Sequence, residues 1–266
     1  MFSLGGYVAG PVVLAAWFER IPVALMEPNA VAGITNRWMG RFAKRALVNF
    51  AETVAQFPAG KAEVTGVPVR PEFFAIEPKA PTEGLTLLVT GGSQGSQRLN
   101  EAVRQSWPLF RESNLRIRFI HQTGRWNHEE LAREFASSGL PGQVVSFIDD
   151  MPAAFREADL VICRSGAGAV SELAAAGRPS ILVPFPFAAG QHQLRNAELM
   201  VRAGAARLVP ESELSGRRLF EEVAALAAAP EKLVRMSEAA RALARPDAAA
   251  RAADVLEELA SVKKQH

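Results

Sequence analysis

The chain has 266 residues, 48% hydrophobic and 22% charged, a globular composition with enough apolar material for one large domain or two ordinary ones. Its 30 basic and 28 acidic residues leave a net charge of +2, which gives no electrostatic case for nucleic acid as a partner. The one cysteine, Cys163, excludes an intrachain disulfide and a cysteine-based metal cluster, and fits a reducing compartment.

Met1–Phe18 carries no charge, but Gly5, Gly6, Gly10 and Pro11 interrupt it and no basic segment leads it. It therefore reads as a buried helix and not as a spanning or export segment, with no strand expected before it. Pro22–Met26 reads as a strand, Ala30–Lys44 as a helix, and Ala46–Phe50 and Ala62–Val67 as strands. Arg37, Arg41, Lys44 and Arg45 fall on one face of that helix, with Trp38 and Phe42 beside them and Trp17 and Phe18 on the helix before. Such a face suits anionic lipid headgroups or plain solvent. Pro68, Pro71, Pro78 and Pro81 with Gly84 form a stiff connection, so a boundary is placed between residues 70 and 71. Residues 1–70 supply only about three strands, where a doubly wound domain has about five or six, so this first domain is expected to be incomplete.

From residue 71 strands and helices alternate. Strands fit near 85–90, 115–120, 143–148, 159–163, 179–184 and 206–209, and helices near 96–112, 126–138, 151–157, 168–177, 190–204 and 212–227. Two alanine-rich helices follow, split at Pro246. This alternation implies an α/β fold with a parallel sheet in a domain covering 71–246.

Two turns in that sheet carry chemistry. Leu85–Asn100 reads as an apolar strand, a turn with Gly91, Gly92 and Gly95, and a helix whose free N–H groups would face the strand end, where a phosphate fits. The turn is neither the dinucleotide fingerprint nor a P-loop. Arg164–Glu172, RSGAGAVSE, repeats the arrangement after a second strand, and Glu172 could reach back to accept hydrogen bonds from ribose hydroxyls. An ordinary tight turn and a surface glutamate favoured by the helix dipole would leave the same residues. Gln191, His192 and Gln193 follow another strand of the same sheet, and ligands of open α/β sheets bind at the carboxyl ends of strands, which favours the nucleotide reading. Asp149 and Asp150 are adjacent, suiting a helix cap better than a metal–diphosphate complex. His121 reads as structural and His192 as a candidate lining residue of a sugar pocket.

The segments GGYVAGP (5–11), EPNAVAGITN (27–36), TGVPVR (65–70), TGGSQGSQRLN (90–100), HQTG (121–124), FIDDM (147–151), CRSGAGAVSE (163–172) and PFPFAAGQHQLRNA (184–197) closely resemble the MurG family, bacterial transferases that add N-acetylglucosamine to lipid I. The resemblance runs nearly end to end. It implies a GT-B fold of two Rossmann-like doubly wound domains, with the last helix, 247–262, packing back on the first. It implies a donor, UDP-N-acetylglucosamine (UDP-GlcNAc), held mainly by the second domain. The acceptor would be lipid I, the polyprenyl-diphosphate-linked muramoyl pentapeptide, met at the inner leaflet of the bacterial plasma membrane by a peripheral protein. The reaction would be inverting, give lipid II, serve peptidoglycan synthesis and require neither cofactor nor metal.

Carried over by motif, Asn29 would touch the donor sugar, and Arg70 and Ser93 would lie at the diphosphate. Ile148 would meet uracil through its backbone. Ala167, Gly168, Ala169, Val170, Ser171 and Glu172 would cradle the nucleoside, with Glu172 on the ribose, and Gln193 would hold the sugar hydroxyls. The family's N-terminal GGTGGH loop and its histidine have no counterpart here, and the His of the family's His-Glu-x-Asn is Met26. The acceptor side and the catalytic base are therefore expected to be incomplete, and the chain alone a poor transferase. Glu27 is the candidate base within these residues, a structural hydrogen-bonding carboxylate being the other reading. A UDP-GlcNAc 2-epimerase and a non-catalytic or partner-dependent UDP-sugar-binding module are the competing functions. The GGYVAGP and EPNAVAGITN segments favour the transferase.

Overall fold

The computed structural model describes residues 1–80 and 83–262, so Pro81 of the proline-rich connection lies outside the described residues. The chain runs β1 (Phe2–Ser3), α1 (Ala9–Phe18), β2 (Ala24–Glu27), α2 (Ile34–Met39), β3 (Arg45–Val48), β4 (Ala62–Val64), α3 (Pro71–Phe74), β5 (Leu85–Thr90), α4 (Gln97–Glu112), β6 (Ile117–Gln122) and α5 (His128–Ser137). It continues with β7 (Gly142–Val145), α6 (Met151–Glu157), β8 (Leu160–Cys163), α7 (Ala167–Ala176), β9 (Ser180–Leu182), α8 (His192–Arg202), β10 (Ala206–Leu208), α9 (Gly216–Ala227), α10 (Pro230–Ala242) and α11 (Ala248–Val262). The strands form two parallel sheets, β1-β2-β3-β4 and β10-β9-β8-β5-β6-β7.

In the larger sheet β5 is central and buried on both faces, so its side chains alternate between two cores. Leu87 and Val89 join Phe110, Phe119, Leu160 and Ile181, while Leu88 joins Ile120, Phe155, Val161 and Leu182. Leu99, Val103, Trp107 and Phe110 follow helical spacing on α4 and enter the first of these cores. Phe73 of α3 and Ile76 enter the second, with the Phe73 ring edge-on to Phe155 at 5.1 Å, so the sheet's core reaches back to residue 73.

The smaller sheet differs from the expectation in three ways. Two residues, Phe2 and Ser3, do form a strand before the first helix, paired with Ala24 and Leu25 of β2. Helix α1 is not buried: only Val13 and Ala16 are, while Val12, Trp17 and Phe18 are exposed. The helix is apolar on every side, and four short strands cover one stripe of it. Val13 thus lies inside, whereas its neighbour Val12 is half exposed. The helix expected over 30–44 shrinks to α2, which is capped at Gly40, a poor helix former against which the Phe57 ring packs, and the chain leaves the helix there. Arg41 and Lys44 are therefore in the turn and Arg45 opens β3, so the four cations do not share a helix face.

Helix α11 returns to the first sheet. Ala252 and Val255 pack on Met26 and Leu47, on the face opposite the α1 core, and Arg251 donates to both oxygens of Glu63 at 2.6 and 2.9 Å. The chain thus passes between the two sheets twice, before α3 and before α11. The two passages touch at Gly66, whose φ of +78° favours glycine and where an added Cβ would stand 2.5 Å from Cβ of Arg245.

Candidate functional site

A cleft of about 890 Å³ opens at the carboxyl ends of β5, β6 and β8. One wall is the β5–α4 turn, folded tightly on its neighbour. Gly95 has φ +77° and lies so close to the β6–α5 turn that an added Cβ would come within 1.9 Å of the Thr123 carbonyl oxygen. Gln122, 1% exposed, donates through Nε2 to the Gly92 carbonyl at 2.9 Å, and the Gly92 N–H donates to Thr90 Oγ1 at 3.1 Å. Ser96 caps α4 by accepting from the Leu99 N–H at 3.3 Å. Arg164 donates to the same Ser96 Oγ at 2.7 Å and to the carbonyls of Val183 and Pro184, pairs with Glu211, and lies over the Phe185 ring. This side of the cleft is cross-linked before any ligand arrives.

The opposite wall is the start of α7. Its capping residue is Gly166, which has no side chain to give, so the first-turn N–H groups of α7 are presented without a side-chain cap. Gly168, Ala169 and Glu172 line the cleft. Burial raises the carboxyl pKa of Glu172 above its ordinary value, and the Arg70 guanidinium opposes that rise. Cys163, beneath Glu172, has its thiol pushed up to about 12 by burial and by that carboxylate, so it stays protonated and inert. Arg70 and Arg98 bring positive charge to the same cavity.

The model of the glycosyltransferase family 28 C-terminal domain matches residues 86–254, and that of its N-terminal domain residues 1–48. The chain is 60% identical over 260 residues to the UDP-N-acetylglucosamine–N-acetylmuramyl-(pentapeptide) pyrophosphoryl-undecaprenol N-acetylglucosamine transferase of Solibacter usitatus, covering 98% of this chain and 71% of the relative. It belongs to the MurG family. The relative of the same name from Sorangium cellulosum is 48% identical, over 96% of this chain and 64% of its own length. The crystal structure of Acinetobacter baumannii MurG superposes with a TM-score of 0.84 at 35% identity, covering 97% of this chain and 74% of that one. A putative UDP-N-acetylglucosamine 2-epimerase from Listeria monocytogenes superposes at 0.70 with 12% identity, covering 96% of this chain and 73% of that one, which is likeness of fold. The architecture is accordingly GT-B.

Within this MurG-family site the residues singled out by motif divide. Arg70, Ser93, Ile148, Gly168, Ala169, Glu172 and Gln193 line the cleft. Ala167, Val170 and Ser171 do not. A helix turns 100° per residue, so Gly168, Ala169 and Glu172 share a face while Val170 and Ser171 turn away. Val170 is 1% exposed in the core, and Ser171 faces the first sheet, where its Oγ accepts from Asn49 Nδ2 at 3.2 Å. Ile148 reaches the cleft with its N–H already given to Gln122 Oε1 at 3.0 Å. Gln193 Oε1 accepts from the Phe185 N–H at 2.9 Å. Asn29 is not in the cleft lining; its Oδ1 accepts from Asn196 Nδ2 at 3.1 Å.

Glu27 has the structural role. It is 2% exposed, and its Oε1 accepts from the N–H and Nδ2 of Asn29 and its Oε2 from the Gly33 N–H and Asn36 Nδ2, at 2.8–3.2 Å. Those donors occupy the lone pairs a base would need. His121 is buried, gives its Nε2 proton to Asn100 Oδ1 at 3.0 Å, and is pushed down to about 3 by burial, so it stays neutral. Asp150 accepts from the Ala153 N–H and caps α6. His192 opens α8 and lies outside the cleft lining. Gln122, Arg164 and Asn196 escaped the sequence reading. Each sits inside a quoted motif, but their value lies in contacts with distant segments that spacing does not reveal.

Proposed function

We propose that the chain is the N-acetylglucosaminyltransferase of peptidoglycan synthesis, moving N-acetylglucosamine from UDP-GlcNAc to lipid I to give lipid II. The observation that carries this is the cleft itself, with an uncapped helix start for the diphosphate and the Glu172 carboxylate one and a half turns on, in a chain 60% identical to a relative with that activity in its name. In the reaction the 4-hydroxyl oxygen of the muramoyl sugar bonds to the anomeric carbon, the bond from that carbon to the β-phosphate oxygen breaks, and UDP leaves. The leaving diphosphate gains negative charge, which the first-turn N–H groups of α7 and the guanidiniums of Arg70 and Arg98 stabilise. The hydroxyl proton passes to a base that is not Glu27, whose lone pairs are taken.

The exposed Phe18 and Trp38, Trp17 edge-on to Phe42, and Arg41 over Trp38 support a peripheral site at the cytoplasmic face of the plasma membrane, where each cation adds about 1 kcal/mol. Among the described residues no helix is long and apolar enough to cross a membrane. Sedimentation with anionic vesicles is expected to exceed that with neutral ones and to fall with salt; equal binding to both refutes the electrostatic part.

Calorimetry tests the donor site. UDP should bind and adenine nucleotides should not, and Glu172→Ala should weaken UDP by about 1.5–3 kcal/mol through loss of hydrogen bonds to a charged acceptor. A folded protein that ignores UDP at millimolar concentration defeats the reading.

A further inference from the structure

Asn196 is fully buried on α8, one turn beyond Gln193. The Ala30 N–H donates to its Oδ1 at 2.9 Å, and its Nδ2 donates to the Ser165 carbonyl and to Asn29 Oδ1, both at 3.1 Å. The orientation of this amide is forced. A backbone N–H can only donate and a backbone carbonyl can only accept, so Ala30 and Ser165 together fix which end is oxygen. The remaining proton on Nδ2 must then meet an acceptor, which fixes Oδ1 of Asn29 toward it. Asn29 Nδ2 consequently faces Glu27 Oε1, at 3.2 Å, and Glu27 is itself held by Gly33 and Asn36. On the other side, Ser165 Oγ donates to the Gln193 carbonyl at 2.8 Å. A single buried amide thus joins Asn29, in the first half of the chain, to the turn and helix that carry Gln193.

We propose that Asn196 is a positioning residue for the hexose end of the donor. It sets the rotation of the Asn29 amide, leaving that amide one N–H and one lone pair for sugar hydroxyls, and it keeps Asn29 in register with Gln193. The proposal rests on the UDP-GlcNAc reading. Its consequence is selective, because Glu172 and the Gly91–Ser96 turn, which would hold UDP, take no part in these bonds.

The test is calorimetry with UDP and with UDP-GlcNAc on the wild type, Asn196→Asp and Asn196→Ser. The aspartate keeps the shape and the acceptor for Ala30 but sets an oxygen against two others. The dissociation constant for UDP-GlcNAc should rise roughly tenfold in both variants while that for UDP stays within about twofold. Equal weakening of both ligands, or no change in either, overturns the role. In an Asn29→Ala background Asn196→Ser should add no further loss for UDP-GlcNAc; additive losses overturn the claim that it acts through Asn29. Should neither variant retain UDP binding where the wild type does, Asn196 is a fold residue and the proposal fails. A wild type that binds neither ligand defeats the donor reading itself.

Discussion

The β5–α4 turn is closed on itself, with Ser96 capping its helix, Gln122 bonded to Gly92, and Gly95 pressed against Thr123. The β8–α7 turn, in the same sheet and facing the same cleft, has a glycine where the other has its cap. Both place helix N–H groups at a strand end, yet in the first a serine side chain takes one of them and in the second no side chain takes any. The first turn is the more cross-linked of the two, and the second has the open helix start that the proposed diphosphate site uses.

The largest effect expected from breaking this contrast is at Gly95. Gly95→Ala combines a left-handed backbone with a Cβ driven into a carbonyl oxygen, and should cost more than about 2 kcal/mol in urea unfolding. A loss within about 0.5 kcal/mol would show that the turn is not closed as described.

A smaller effect is expected at Glu172, with a definite sign. Because burial raises its folded pKa, the folded state holds a proton that the unfolded chain has released, and stability falls as pH rises from the ordinary carboxylate value of 4.5 through the folded value. The penalty is absent below 4.5 and complete above the folded pKa. Glu172→Gln should therefore melt higher than wild type at pH 7, lose that advantage as pH approaches 4.5, and bind UDP less tightly. A melting difference independent of pH contradicts burial as the cause.

The smallest stability effect sharpens the contrast from the other side. At Gly166 φ is −62° and an added Cβ meets nothing within 4 Å, so Gly166→Ser fits and supplies the absent cap. It should add a few tenths of a kcal/mol to stability and weaken UDP, since the new hydroxyl competes for the same N–H groups. Tighter UDP binding would reverse the assignment of the two turns.

The second sheet was legible because its signals are local. Leu85–Thr90 is an apolar run with glycines behind it, and both turns follow such strands, so β5, α4 and α7 fall within about a residue of expectation. The first sheet was less so. Helix α1 is apolar all round, and nothing in its sequence says that only Val13 and Ala16 meet the sheet. Residues 37–45 favour a helix apart from Gly40, where α2 ends and against which the Phe57 ring packs from seventeen residues away. In the site, the contiguous motif from Ala167 to Glu172 reads as one cradle, while helical rotation sends Val170 into the core and Ser171 to Asn49. Asn196 meets partners 166 and 167 residues away, beyond any local pattern.

The touching passages at Gly66 and Arg245 constrain each other. A Cβ at residue 66 would stand 2.5 Å from Cβ of Arg245, so any side chain there must displace the segment that leads into α11. The seating of Ala252 and Val255 on Met26 and Leu47 therefore depends on a residue without a side chain in the other crossing.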